Sequence, residues 1–600
     1  MRVAAAVVVA IVLAAAGCGD SSGPPPQTIH AGPVVTDETW TRAESPHIVR
    51  GPVVISSGAT LTIEAGATVL FDTLSSLSFG RTSPGTLRAL GTASQPIAMR
   101  SSDSAGGPGS WIRLVLRSNT VSEMHYVELS GCGDSGDRFS PFYLDSFPAS
   151  CIALGNPFLS ENPTLLIDHV TIRDGRGGAV ILSNASHLAA GSNHLSVVNM
   201  RGYIARMRAR ESATFPLGGS FGGNDSNEVR LTLDTLRDSV TWAPGVPWTV
   251  MDRVVIEGPK QPVLTLPPGD TVRMRGSIIV GYNAPGGLQV GSESGQTVML
   301  TAADTSWDGI YFGSYTVSSS LTHVTLEKCG RVENSSFPSD CVLISGLYTE
   351  TPPFPAPVLK HVTIRNAGFN VGLGLTFRAR LGSGSTDLTI TGTGTPISIG
   401  GGSPVSIPPG NYTGNLRDVI EITDGRVWQD ETWPNFDLPY VVTSYMIDSL
   451  GGVSVGAPTT RPTLTLLPGT TIKFAGGGRL WVGWEGSGAV KAVGTVAQPI
   501  RFLGQGSTPG GWVGIQIGYN ADSSTIFDHV IVDGAGEQFP VAGSFHFYVD
   551  VGPIIRNTVI SNSSGCGIII VNQPAWSTDF TDPALGNTFT NNAGGAVCGP

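Results

Sequence analysis

Charge is scarce in this sequence. Only 14% of its 600 residues are charged, and 35 basic against 46 acidic side chains leave a net charge of -11 without a long run of either sign. Gripping a phosphate backbone takes a concentrated basic patch, so nucleic acid is excluded as a partner. A sustained 3.6-residue apolar period is also missing, which excludes a helical bundle or coiled coil. After the N-terminal segment no apolar run reaches the roughly eighteen residues of a membrane-spanning helix. Histidine and cysteine never fall at zinc-ligand spacing, so neither a metal site nor a cofactor is expected. What is abundant is glycine and proline, 79 and 42 residues, beside 40% apolar residues. Turn formers alternating with short apolar stretches describe a large folded β protein and not a disordered chain.

The chain opens with Arg2, the apolar run Val3 to Ala16, and then Gly17-Cys18-Gly19-Asp20. Fourteen helical residues span about 21 Å, short of a bilayer core, so residues 1–17 read as a signal peptide. Ala15-Ala16-Gly17 ahead of Cys18 resembles a bacterial lipoprotein cleavage box, which implies lipid attachment at Cys18 and a membrane as the partner of the anchor. Residues 18–35, with Pro24-Pro25-Pro26, read as an extended tether.

A long internal repeat organises the remainder. Leu61-Thr-Ile-Glu-Ala-Gly66-Ala-Thr-Val69-Leu-Phe71 reappears as Leu264-Thr-Leu-Pro-Pro-Gly269-Asp-Thr-Val272-Arg-Met274 and as Leu464-Thr-Leu-Leu-Pro-Gly469-Thr-Thr-Ile472-Lys-Phe474, at spacings of 203 and 200 residues. Trp111, Trp307 and Trp512 recur in order, as do His125, His323 and His529. The modules are 36–241, 242–427 and a truncated 428–600. Inside them, apolar residues alternate over four to seven positions between turn residues, so each short strand buries one face. The 44 residues from His125 to His169 correspond to two coils of about 22, each lap holding three short strands.

The run of apolar-Thr-apolar, Pro-Gly, Gly-Thr-x-x-x-Pro-Ile and Trp-x-Gly-Ile, seen in Gly494 to Ile500, Trp307 to Ile310 and Trp512 to Ile515, resembles the repeats of bacterial right-handed parallel β-helix surface proteins over residues 36–600. The resemblance implies an all-β, right-handed parallel solenoid. A β-sandwich array is the structural alternative, and it would require antiparallel hairpins every few strands.

Seven cysteines minus Cys18 leave six. Cys132 and Cys151 in the first module match Cys329 and Cys341 in the second, and in the third both members are missing together, with Ala535 at the first position. The expected pairs are therefore Cys132 with Cys151 and Cys329 with Cys341. Cys566 and Cys598 remain as a third pair that would staple the C-terminal end.

Asp168-His169 and Asp528-His529 resemble a short Asp-His motif of pectate lyases, which are themselves parallel β-helices. The preceding Asp becomes Met124, Thr322 and Lys360 at sister positions while the His persists, so the His reads as a repeated corner element and no catalytic residue is assigned. Gly218-Gly-Ser220-Phe-Gly222 fits a nucleophile-elbow pattern, but with 79 glycines such a match is expected by chance. Asp579 and Asp582 read as turn residues, and Asn224 to Glu228 as a solvated loop rather than a cation site. Tyr282 and Trp484, with Arg81 at the equivalent position of the first module and Trp481 as a second ring, are the candidate sugar-stacking residues.

These readings point to an exported, lipid-anchored, non-catalytic envelope protein serving adhesion, contact with a polysaccharide or cell-surface glycan, or spacing from the membrane. A polysaccharide lyase or glycoside hydrolase with a lateral groove is the alternative.

Overall fold

The computed structural model describes residues 27–599 apart from 81–82, 118, 135–147, 157–160, 331–339, 348–353, 444–451, 507, 538–541, 553 and 572–575. Cys18, the signal peptide and Arg81 lie outside the described residues. Thr60–Glu64, Thr68–Phe71 and Ser76–Phe79 make one lap of three short strands. Each pairs in parallel with its equivalent on the next lap, Leu61 beside Leu87, Val69 beside Met99 and Leu77 beside Leu114. The protein is thus an all-β parallel solenoid, a β-helix, with laps about 4.8 Å apart. Hairpin sandwiches are excluded among the described strands, whose ladders all run parallel.

Strand alternation builds the core. Leu61, Ile63, Val69, Phe71, Leu77 and Phe79 point inward and are buried, while Thr62, Leu70 and Ser78 take the other side. Repeated on every lap, these inward pairs form one hydrophobic core running from Trp40 to Phe580. Trp111, Trp307 and Trp512 close the corresponding lap in each repeat. Their indole Nε1 atoms donate to the carbonyls of Ser130, Glu327 and Asp533 at 2.8, 3.0 and 3.0 Å. That bond satisfies the ring's one polar atom while the rest is packed away from water.

The lap length differs from the expectation. His125 pairs directly with Asp168, so the 44 residues between His125 and His169 are one lap and not two. The excess lies between Val121–Ser130 and Ser150–Leu154, where residues 135–147 are outside the described set. The same pairing shifts the histidine alignment by one position. His125 stands opposite Asp168, and Tyr126 opposite His169.

Tyr126, His169, His194, His323, His361 and His529 occupy one kind of corner, between the first and second strands of a lap, with φ of 48, 55, 51, 53, 53 and 52°. Left-handed backbone there turns the chain sharply, at a cost of about 1–2 kcal/mol for a residue with a Cβ. Stacking of the corner rings on consecutive laps offsets part of it. Tyr126 to His169, His169 to His194 and His323 to His361 have ring centroids 4.4, 4.1 and 4.4 Å apart.

Like residues lie over like within a repeat, yet successive repeats are out of phase by one face. The ladder that contains Ser76–Phe79 continues through Arg201–Arg208, Ser226–Thr232 and Trp248–Val250 into Thr271–Met274, which is the sequence counterpart of Thr68–Phe71. At the next junction the ladder of Ser277–Val280 passes through Ile420–Val427 into Thr471–Phe474. The repeat is therefore a whole number of laps plus one strand position. Leu61, Leu264 and Leu464 are equally buried and begin equivalent laps, but on three different faces.

The third strand of many laps is buried on both sides: every residue of Ser150–Leu154, Asp340–Ser345 and Gly543–Phe547 is shielded from solvent. Cys132 with Cys151, Cys329 with Cys341 and Cys566 with Cys598 stand at disulfide distance, with Cα separations of 5.0, 4.8 and 6.0 Å.

Candidate ligand-binding site

The third strand of a lap ends in a turn, and in the last repeat those turns carry rings. Arg479–Val482 is followed by Gly483 and Trp484, Gly514–Ile517 by Gly518 and Tyr519, and Gly543–Phe547 by Tyr548. Gly483 adopts φ 70°, and a Cβ there would collide with the backbone of Asn520 and Ala521, so the close approach of consecutive turns needs glycine. Asn520 N–H donates to the Gly483 carbonyl at 3.0 Å, and Tyr548 N–H to the Ile517 carbonyl at 2.9 Å, which fixes the turns one over another.

The result is a cluster of four rings. Trp481 and Trp484 centroids are 4.9 Å apart, Trp484 and Tyr548 5.5 Å, Tyr519 and Tyr548 5.8 Å, and Trp484 and Tyr519 6.4 Å. Trp484 and Tyr519 are 41% and 64% exposed, whereas Trp481 and Tyr548 are 5% and 9%. The two inner rings are a foundation and the two outer rings a surface. Arg479 sits with its guanidinium carbon 5.3 Å from the Trp481 centroid. Burial pulls the Arg479 pKa down and pushes the Tyr548 phenol up.

The sequence expectation is changed here in two respects. Trp481 lies on the doubly buried third face, so it supports the surface instead of forming it. Tyr282 follows Ser277–Val280, on a ladder separate from Arg479–Val482, and packs edge-on against Tyr311 at 5.9 Å. It is 48% exposed but forms no column with Trp484. Tyr519 and Tyr548 were not singled out from sequence; the signal that marks Tyr519 is the repeated Gly-aromatic turn, Gly483-Trp484 and Gly518-Tyr519.

Asp168 sits in a different network, in the first repeat. Its carboxylate accepts from His169 Nδ1 at 2.6 Å and from His125 Nδ1 at 3.2 Å. Burial works against ionisation, but these two bonds hold the carboxyl below its usual range. His125 Nε2 faces Glu123 at 3.3 Å, and Glu123 is paired with Arg88 at 2.7 Å. Arg173 is held by Glu128 and by Asp174. Arg88 and Arg173 are thus both committed to carboxylates, so neither supplies the basic residue that a lyase uses as its proton acceptor.

The other motifs resolve as local structure. Ser220 Oγ lies 3.4 Å from Ser196 Oγ, with no helix following it. Asn224 accepts from Met200 N–H at 2.8 Å and donates to Asn227 at 2.8 Å, while Glu228 pairs with Arg230 at 2.8 Å. Asp579 and Asp582 accept backbone N–H groups two residues on, from Thr581 and Ala584, at 2.8 and 2.9 Å. No protein-family model and no curated protein matches this sequence.

Proposed function

We propose that the chain is a non-catalytic surface β-helix, exported and lipid-anchored to the bacterial envelope through Cys18, that contacts glycans with the aromatic surface of its last repeat. The paired rings of Trp484 and Tyr519, backed by Trp481 and Tyr548, carry this reading. Sugars present flat C–H faces, and each ring covered by one buries on the order of 150 Å². Backing by buried rings keeps the platform rigid, so little side-chain entropy is lost on binding. The resemblance to bacterial right-handed β-helix surface lipoproteins, together with the cysteine pairing suited to an oxidising compartment, supports the location.

The test is a glycan array with the mature chain, followed by titration of any hit. Binding is expected to fall about tenfold or more in Trp484→Ala and Tyr519→Ala, and to survive Tyr282→Ala. Glycan binding untouched by both replacements would sink the assignment. Unsaturated uronate products from a polysaccharide, lost in His169→Ala, would move the protein to the lyase reading instead.

A further inference from the structure

His169 and His194 stand on consecutive laps of the first repeat with ring centroids 4.1 Å apart and planes 8° from parallel. Each ring is oriented through Nδ1. His169 Nδ1 donates to Asp168 Oδ1 at 2.6 Å, and His194 Nδ1 donates to the side-chain oxygen of Asn193. That leaves two Nε2 atoms, in the tautomer with a lone pair, and neither has a hydrogen-bond partner among the described residues. They line an open groove of about 290 Å³ that also contains Tyr126, Glu128, Thr171 and the Gly218-Gly219 turn. Gly218 keeps the approach clear, since a Cβ there would come within 3.1 Å of His194 Nε2. One ligand atom from each of Asp168, His169 and His194 falls within 4.8 Å of the others.

We propose that this corner binds a divalent transition-metal ion of the zinc type, through Nε2 of His169 and His194, with Asp168 as the carboxylate behind the first imidazole. A carboxylate holding Nδ1–H is the usual support of a metal-bound histidine, because it fixes the tautomer and raises the basicity of Nε2. Imidazole nitrogens select zinc, copper or nickel over calcium or magnesium. Tetrahedral zinc with bonds of about 2.0–2.1 Å needs its nitrogens roughly 3.3 Å apart with both in-plane lone pairs converging on the ion, so the rings, parallel within 8°, must turn out of their stack by roughly tens of degrees as it binds. The groove leaves room for water to complete the shell.

Ligand number favours this corner over its relative in the second repeat. Among the described residues Asp168, His169 and His194 bring three ligand-bearing groups together. Beside His323 and His361 stands Lys360, whose ammonium is 2.9 Å from Glu293. His361 Nδ1 is likewise held by a carboxylate, that of Asp387 at 2.9 Å.

The experiment is calorimetric titration of tag-free, chelator-treated protein with zinc chloride, in the wild-type chain and in His169→Asn, His194→Asn and His361→Asn. Asparagine is chosen because it accepts the left-handed backbone of these corners, so the laps stay intact. Far-UV circular dichroism checks that they do. One zinc per chain is expected, weakened about tenfold or more by either replacement in the first repeat and altered less than about twofold by His361→Asn. Nickel should compete and magnesium should not. Absence of zinc binding to the wild-type chain, or binding that persists in His169→Asn and His194→Asn, or an equal loss in His361→Asn, overturns the assignment.

Discussion

Phe474 and Trp512 lie face to face inside the solenoid, ring centroids 4.6 Å apart and planes within 5° of parallel. Phe71 and Trp111 make the same stack in the first repeat at 3.9 Å and 12°. The second repeat keeps the tryptophan, Trp307, and places Met274 at the phenylalanine position. Trp512→Ala removes a fully buried ring from a narrow core and leaves a void flanked by Phe474. The expected cost is about 3–5 kcal/mol. In a stacked architecture each lap touches only its neighbours, so hydrogen exchange should rise around residues 470–535 and stay unchanged near Trp111.

Asp340 provides a pH signature. Burial, with a smaller contribution from Glu421, raises its pKa from 3.8 to about 7. Between those values the folded chain holds a proton that the unfolded chain has released. Stability therefore falls as pH rises through that window, and the full penalty is present above it. Asp340→Asn removes the penalty, which is at most about 4 kcal/mol. Melting midpoints measured at pH 4 and pH 8 should differ less in the variant, with the gain concentrated at pH 8.

The cysteine pairs are expected to be closed in protein exported to an oxidising compartment. Replacing Cys132 and Cys151 together with serine frees a loop of 19 residues and should lower stability by about 3 kcal/mol, read from urea denaturation. Thiol titration of the denatured but unreduced wild-type chain should find none of the six free.

Gly483→Ala tests whether the aromatic surface depends on the turn beneath it. The alanine methyl would force the Gly483 turn away from Asn520 and Ala521 and carry Trp484 off Tyr548. Weaker glycan binding with little change in the far-UV spectrum is the expected outcome, with quenching of Trp484 fluorescence altered.

Much of the fold was legible because the core constrains the sequence at fixed offsets. Leu61, Leu264 and Leu464 must fill equivalent buried slots, so their order survives across 200 residues, and paired loss of two cysteines in the last repeat pointed to Cys132 with Cys151 and Cys329 with Cys341, which stand at disulfide distance. The lap count was not legible. A parallel solenoid tolerates insertions at its corners, so the distance from His125 to His169 carries no information about how many strands lie between. The same tolerance hid the ring and imidazole clusters. Trp484, Tyr519 and Tyr548, or His169 and His194, become neighbours by lap stacking, and the intervals between them follow loop length and no motif. His194 was harder still to see, since Asn193 stands where His169 has Asp168.

The one-face offset between repeats governs what a partner can reach. A filament laid straight along this rod would touch the histidine corners of a single repeat before those of the next turned away from it, whereas a ligand able to wind around the shaft could visit all three in succession. Duplication has thus produced a spiral staircase of similar steps, each opening onto a different side of the stairwell.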